Sequence, residues 1–345
     1  MKALCYHGAH DIRYDTMDDP TPAAPTDAIV KMDACAICGS DLHIYHGQGF
    51  SPDQGFCVGH EAVGEVVDAG KGVNRLNVGD KVMISAAVGC GNCVNCLSGR
   101  VAQCMNGMMG CFGLSANLQG CQSDYIRVPV ADFNTAPIPE GLTTDQALML
   151  TDNLPTAHMG VLNADVAPGK TVAVIGLGPI GLMAVEISIL MGAAQVFALD
   201  LVPERRAIAE KLGATPVDPA TAFETIAAAT KGRMVDSAIE AVGADPTIKL
   251  AIDLAGFGGT VSAFGVNLNQ DFPYPLGSAF TKGLTFRIAG CSVPEHWPTL
   301  VPLLQQGRLK PESYITHRMS LSEGAEAYRI FDQKEDGAMK MVLTN

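Results

Sequence analysis

The sequence predicts a mixed α/β chain of two domains, one β-rich and the other a doubly wound parallel sheet. Three observations carry that expectation. The first third is made of short extended runs broken by Gly, Pro and Asp: residues 28–35, 62–67 and 81–85 read as strands, with a turn at 77–80. From residue 165 onward strands alternate with helices, the pattern that builds parallel βαβ units. The length, 345 residues, suits two domains of about 150 residues each.

Taken in order, the β-rich part carries a cysteine-rich loop at 89–113. That is too long for a plain connection, so it is expected to be functional or internally braced. Strands are then expected at 171–175, 195–199, 234–239, 259–264 and 285–289, with helices at 180–191, 204–212 and 246–254. The tail returns to a mixed texture with helices at 297–306 and 321–332.

Composition narrows the function. The formal net charge is −13, from 36 acidic and 23 basic side chains, which argues against a general grip on nucleic-acid phosphates. Apolar residues make up 48% and charged ones 17%, a composition with enough apolar surface for a core and far from that of disordered chains. The apolar stretch 172–199 is interrupted by Glu186, Gln195, Pro179 and several glycines, so it is not expected to span a membrane. Eleven cysteines, an odd number, open a chain that begins MKALCYHGAHDIRYD without a basic and then apolar leader. Reduced thiols in the cytoplasm are the expectation.

Gly176-Leu177-Gly178-Pro179-Ile180-Gly181 follows a strand and opens a helix. The first glycine permits a tight turn, the second lets a pyrophosphate approach, and the third lets helix pack on strand, with the helix N-terminus facing the anion. The second strand ends at Asp200, nineteen residues past Gly181, where a carboxylate can bind ribose hydroxyls. It would repel a 2′-phosphate, so NAD is expected over NADP, although Arg205 and Arg206 stand beside it.

Cys90, Cys93, Cys96 and Cys104 are spaced C-x2-C-x2-C-x7-C, suited to a closed tetrahedral zinc site that braces the loop. Iron–sulfur clusters and zinc ribbons use similar spacing. Cys38, Asp41 and His43, then His60 and Glu61, then Asp152 form a more dispersed set whose residue types suit an open zinc site. Taken alone, a small buried cysteine and a strand-start His-Glu pair explain these residues as well.

Over essentially its whole length the chain resembles the zinc-dependent medium-chain alcohol dehydrogenases, on Cys38-x-Ser40-Asp41-x-His43, Gly59-His60-Glu61, the four-cysteine lobe, the glycine loop and Asp200 in that order. The resemblance implies a GroES-like catalytic domain at 1–153 and 289–345 and a Rossmann domain at 154–288. It implies two zinc ions per chain. The catalytic one would be held by Cys38, His60 and Asp152 with Glu61 able to approach it, and the structural one by the four cysteines. Asp41 would fix the ring of His60, Ser40 would take the substrate proton and His43 would pass it on. Thr156 would contact the nicotinamide side of the cofactor.

The function so implied is reversible hydride transfer between NAD and a small or medium alcohol, secondary or aromatic, in a homo-oligomer, a tetramer before a dimer. The alternatives are formaldehyde dehydrogenase or dismutase, polyol or threonine dehydrogenase, a zinc-free quinone reductase of the same fold, which Cys38, His60 and Asp152 together disfavour, and a non-catalytic zinc–thiolate regulator. Gly49, Phe50, Met108, Phe112, Leu118 and Leu154 are candidate substrate-pocket walls. Cys5, Cys35, Cys57, Cys111, Cys121 and Cys291 are expected as small buried residues.

Overall fold

One strand buried over most of both faces, Ala28–Ile37, organises the first compact unit, Met1–Pro155 with Cys291–Asn345. The computed structural model describes residues 1–106 and 110–345. Ala28–Ile37 is apolar almost throughout and pairs antiparallel with Glu61–Ala69, Tyr125–Val128 and the C-terminal strand Met341–Thr344. Such continuous apolar runs suit a strand covered on both sides. Lys81–Ile84 and Thr135–Pro137 extend the sheet on one side and His317–Ser320 on the other. A hairpin, Lys2–Gly8 with Asp11–Thr16, pairs through Cys5 and Tyr6 with Phe56–Cys57 in a separate three-stranded sheet.

The core gathers Leu4, Ile37, Val58, Val66, Phe112, Tyr328 and Leu343 around these strands. The C-terminal strand is therefore structural: Leu343 lies opposite Cys35 and Met341 opposite Ile37, and Met341, Val342 and Leu343 are all buried. The short helix Asp41–Tyr45 leaves the end of Ala28–Ile37, and Gly324–Gln333 covers the unit from the tail.

The second unit, Thr156–Gly290, is a six-stranded parallel sheet. Its order is Thr215–Val217, Gln195–Leu199, Thr171–Ile175, Val235–Glu240, Ala255–Ala263 and Thr285–Ile288. In chain order this is 3-2-1-4-5-6, the doubly wound arrangement whose ligand crevice lies at the carboxyl ends of strands one and four. No helix among the described residues is long and apolar enough to cross a membrane.

Leu343→Ala should lower stability by about 2–5 kcal/mol, the range for truncating a core leucine. Urea denaturation followed by circular dichroism measures it, and loss under 1 kcal/mol would remove the C-terminal strand from the core.

Candidate active site and cofactor loop

Cys38 follows the last residue of Ala28–Ile37, and Ser40 precedes the helix Asp41–Tyr45. His60 and Glu61 sit where Glu61–Ala69 begins, just after Gly59. Gly59 is in left-handed backbone (φ 89), and a Cβ there would meet the buried Gln122 side chain at 2.4 Å, so only glycine fits the bend that presents His60. Asp152 precedes the helix Asn153–Asn163. These three segments bring Cys38, His60, Glu61 and Asp152 together: one ligating atom from each lies within 4.8 Å of the others.

The contacts are specific. Asp152 Oδ2 is 3.6 Å from Cys38 Sγ and 3.7 Å from His60 Nε2. Asp41 accepts the Cys38 N–H at 2.9 Å with one oxygen. Its other oxygen stands 3.2 Å from His60 Nδ1, with neither atom completing a hydrogen bond. Ser40 Oγ is 3.3 Å from His60 Nε2. Glu61 accepts from Asn153 Nδ2 at 2.7 Å and ion-pairs with Lys340, whose ammonium also donates to the Ile37 carbonyl at 3.1 Å.

Electrostatics follow from burial and crowding. Burial, with Glu61 nearby, pushes the Cys38 thiol up. Burial works against charge on His60, but the Cys111 sulfur and the Asp41 carboxylate outweigh it and lift the imidazole well above its ordinary range. Lys340 likewise stays charged because Glu61 and Cys38 offset its desolvation. A buried pocket that favours a cation at each basic position is rich in negative donors. Cysteine, histidine and carboxylate together with orphaned buried Asp41 and His60 atoms fit an open zinc site.

Cys90, Cys93, Cys96 and Cys104 also bring their sulfurs within 4.8 Å of one another, and none of these four forms a disulfide. The lobe is folded so that N–H groups point at sulfur: Cys96 N–H reaches Cys93 Sγ at 3.4 Å, Met105 N–H reaches it at 3.5 Å, and Cys90 N–H reaches Cys104 Sγ at 3.4 Å. The backbone donors from Met105 and Cys96 hold Cys93 down to about 6, while burial pushes Cys96 up to about 12. Four thiolates this close repel unless a cation sits among them. The set fits a closed tetrahedral zinc site.

In the second unit the glycine loop has the three properties its spacing requires. Gly176 is left-handed (φ 89). A Cβ on Gly181 would meet the Gly176 carbonyl at 1.8 Å, whereas one on Gly178 would meet nothing within 4 Å, leaving open room above the loop. Pro179 and Ile180 open the helix Pro179–Leu190, whose N-cap, Gly178, makes no side-chain cap, so its first N–H groups face that room. Asp200 accepts from Leu177 N–H at 2.7 Å and Val202 N–H at 2.8 Å. Arg205 stands 3.8 Å from its carboxylate. Arg206 is turned to the Asp200 carbonyl and toward Asp218. Thr156 is half-buried on Asn153–Asn163.

Residues 24–140 match the alcohol dehydrogenase GroES-like domain and residues 179–306 the zinc-binding dehydrogenase domain. A probable zinc-binding alcohol dehydrogenase of Mycobacterium tuberculosis is 44% identical over 95% of this chain and 84% of its own length. The chain belongs to the zinc-dependent medium-chain alcohol dehydrogenase family. Among solved structures, the alcohol dehydrogenase from Thermus sp. ATN1 is 36% identical with a TM-score of 0.93, over 100% of this chain and 99% of that one. A putative zinc-binding dehydrogenase from Sinorhizobium meliloti, bound to NADP, is 28% identical with a TM-score of 0.84, over 100% and 99%.

Within this alcohol dehydrogenase fold some sequence expectations need correction. Phe112 and Leu154 are fully buried and so belong to packing, not to a substrate wall; Phe112 is part of the first unit's core. Met108 lies outside the described residues. Cys111 and Cys291 are half-buried, not buried, and Cys111 stands against His60. Lys340 and Asn153 were missed. The signal for Lys340 was a lone charge in the apolar run 338–343, because lysine is almost never fully buried without a partner.

Lys340→Met should destabilise the protein by about 3–5 kcal/mol, since it leaves Glu61 as an uncompensated buried charge. The double variant Lys340→Met, Glu61→Gln should recover most of that loss. Chemical denaturation of the three proteins reads it, and strictly additive losses would disprove the pairing.

Proposed function

We propose that the protein is an NAD-dependent dehydrogenase of small or medium alcohols, secondary or aromatic, carrying two zinc ions per chain. The observation that carries this reading is the convergence of buried Cys38 and His60 with half-buried Asp152, flanked by a Glu61 already paired with Lys340. In it, these three residues hold the catalytic ion with Glu61 at its edge, and Cys90, Cys93, Cys96 and Cys104 hold the structural one. Zinc so held would supply Lewis acidity that lowers the pKa of an alcohol hydroxyl, and the nicotinamide would accept hydride.

The chain's own residues handle the proton. Ser40 Oγ, close to the donor cluster, takes the hydroxyl proton. His43 is half-buried, and burial with His46 nearby lowers its pKa, which favours the neutral ring that can accept that proton and release it to solvent. Asp41 orients His60 through its position between the ring and the Cys38 N–H.

Gly176, Leu177, Gly178, Pro179, Ile180 and Gly181 cradle the cofactor pyrophosphate, and Thr156 contacts its nicotinamide side. Asp200 binds the adenosine ribose. Its carboxylate, fixed by two N–H groups, supports NAD over NADP because a 2′-phosphate would meet a like charge; Arg205 softens that repulsion. Thiols held as a zinc-ligand set, Cys90, Cys93, Cys96 and Cys104, and not as disulfides, suit a reducing compartment such as the cytoplasm.

Cys38→Ser and His60→Ala should each abolish alcohol oxidation while NAD affinity, read by fluorescence quenching, changes less than about threefold. Asp200→Ser should move the NAD/NADP ratio of kcat/KM toward NADP. An active His60→Ala protein, or an unmoved ratio, would overturn the respective assignment. A panel of secondary, aromatic and polyol alcohols, threonine and formaldehyde, run with NAD, separates the substrate classes.

A homo-oligomer, a tetramer before a dimer, is part of the proposal. Thr285–Ile288 ends the parallel sheet with an open edge, and on the elements around it Phe257 is 81% and Phe280 87% exposed. Monomers seldom leave such a patch beside a free edge. Light scattering should give a multiple of 36.1 kDa, and Phe280→Glu should shift the protein to smaller species; a monomeric wild type would rule this out.

A further inference from the structure

His10, His46 and Asp332 meet at the surface of the first unit, apart from both donor sets described above. One ligating atom from each lies within 4.8 Å of the others. They come from three separate stretches: the turn between Lys2–Gly8 and Asp11–Thr16, the residue after Asp41–Tyr45, and the helix Gly324–Gln333. His10 is in left-handed backbone (φ 60), a conformation that a non-glycine residue keeps only where the surroundings hold it. They do so here. Its N–H donates to the Tyr45 carbonyl at 2.6 Å, and its ring meets Tyr45 edge-on, with centroids 4.9 Å apart.

The other two ligands are equally fixed. His46 donates its N–H to the Leu42 carbonyl at 2.9 Å, its ring lies 5.2 Å from that of His10, and its Nε2 is 2.7 Å from Asp332 Oδ1. Beneath the cluster, Tyr45 packs on Tyr328 with centroids 5.6 Å apart, one helical turn before Asp332. Backbone and packing therefore place all three groups.

Two imidazoles and one carboxylate are a donor set for borderline divalent ions such as zinc, nickel and copper. Donors about 2.1 Å from one ion and about 80–110° apart lie roughly 2.7–3.4 Å from each other, a range that contains the His46–Asp332 separation. Both histidines are exposed, so an ion needs no opening to enter. We propose that His10, His46 and Asp332 form an additional, exchangeable divalent-metal site that clamps the N-terminal hairpin and the helix bearing His43 to Gly324–Gln333. It rests on these residues alone and stands whether or not the proposed zinc sites do.

The test is calorimetric titration of the full-length, zinc-loaded protein with Ni²⁺. Wild type should bind one Ni²⁺ per chain at this site; His10→Ala and His46→Ala should each weaken it about tenfold or more, the scale of losing a metal-site partner, and His317→Ala should leave it unchanged. Ni²⁺ should also broaden the ring resonances of His10 and His46 before those of the other histidines, a readout that needs no variant. No saturable binding, unchanged affinity in the two variants, or uniform broadening of all eight histidines would overturn the proposal and leave a hydrogen-bonded surface cluster only.

Discussion

A carboxylate and an ammonium, both out of water, decide how the first unit can be built. Glu61 and Lys340 are each essentially inaccessible, and taking either charge from water alone would cost several kcal/mol. They are tolerable only as a pair. The pair exists because the strand Met341–Thr344 lies beside Ala28–Ile37, which also puts the Ile37 carbonyl within reach of the same ammonium. One ion pair thereby ties the last residues of the chain to the sheet that presents Cys38 and His60.

The two units collect opposite potentials. In the first, thiols and carboxylates gather around His60 and in the Cys90–Cys104 lobe, where each further negative group raises the cost of ionising its neighbours; a dication relieves all of them together. In the second, the unfilled N–H groups at the head of Pro179–Leu190 and the open face of Gly178 leave partial positive charge directed into empty space, which suits an anion. Metal and dinucleotide thus answer separate electrostatic demands, each set by local backbone geometry.

What was legible in the sequence was whatever depends on neighbours along the chain. The strands Thr171–Ile175 and Gln195–Leu199 stand where the sequence put them, and the turn at the three glycines and the gathering of the four cysteines likewise follow from local conformation. The convergence of Cys38, His60 and Asp152 needed the order of several motifs together, because these residues are brought together only by the folding of distant segments. Lys340 and Asn153 escaped because their significance lies in a partner far away in sequence. The strand Lys2–Gly8 shows no alternation, since Ala3 to Tyr6 are all buried, and the strand Met341–Thr344 is only four residues long. Phe112 and Leu154 were misread because an apolar residue near a motif looks alike in a core and in a pocket wall.

The pairing of Ala28–Ile37 with Met341–Thr344 also orders events in time. Cys35 Sγ donates to the Leu343 carbonyl across 308 positions of sequence, and no local contact can stand in for that closure. On a ribosome, chain is delivered N-terminus first. The inserted Thr156–Gly290 unit has all its strands before residues 291–345 emerge, so the unit begun earlier is completed after it. Glu61 therefore waits for its counter-charge until the whole inserted unit has been made.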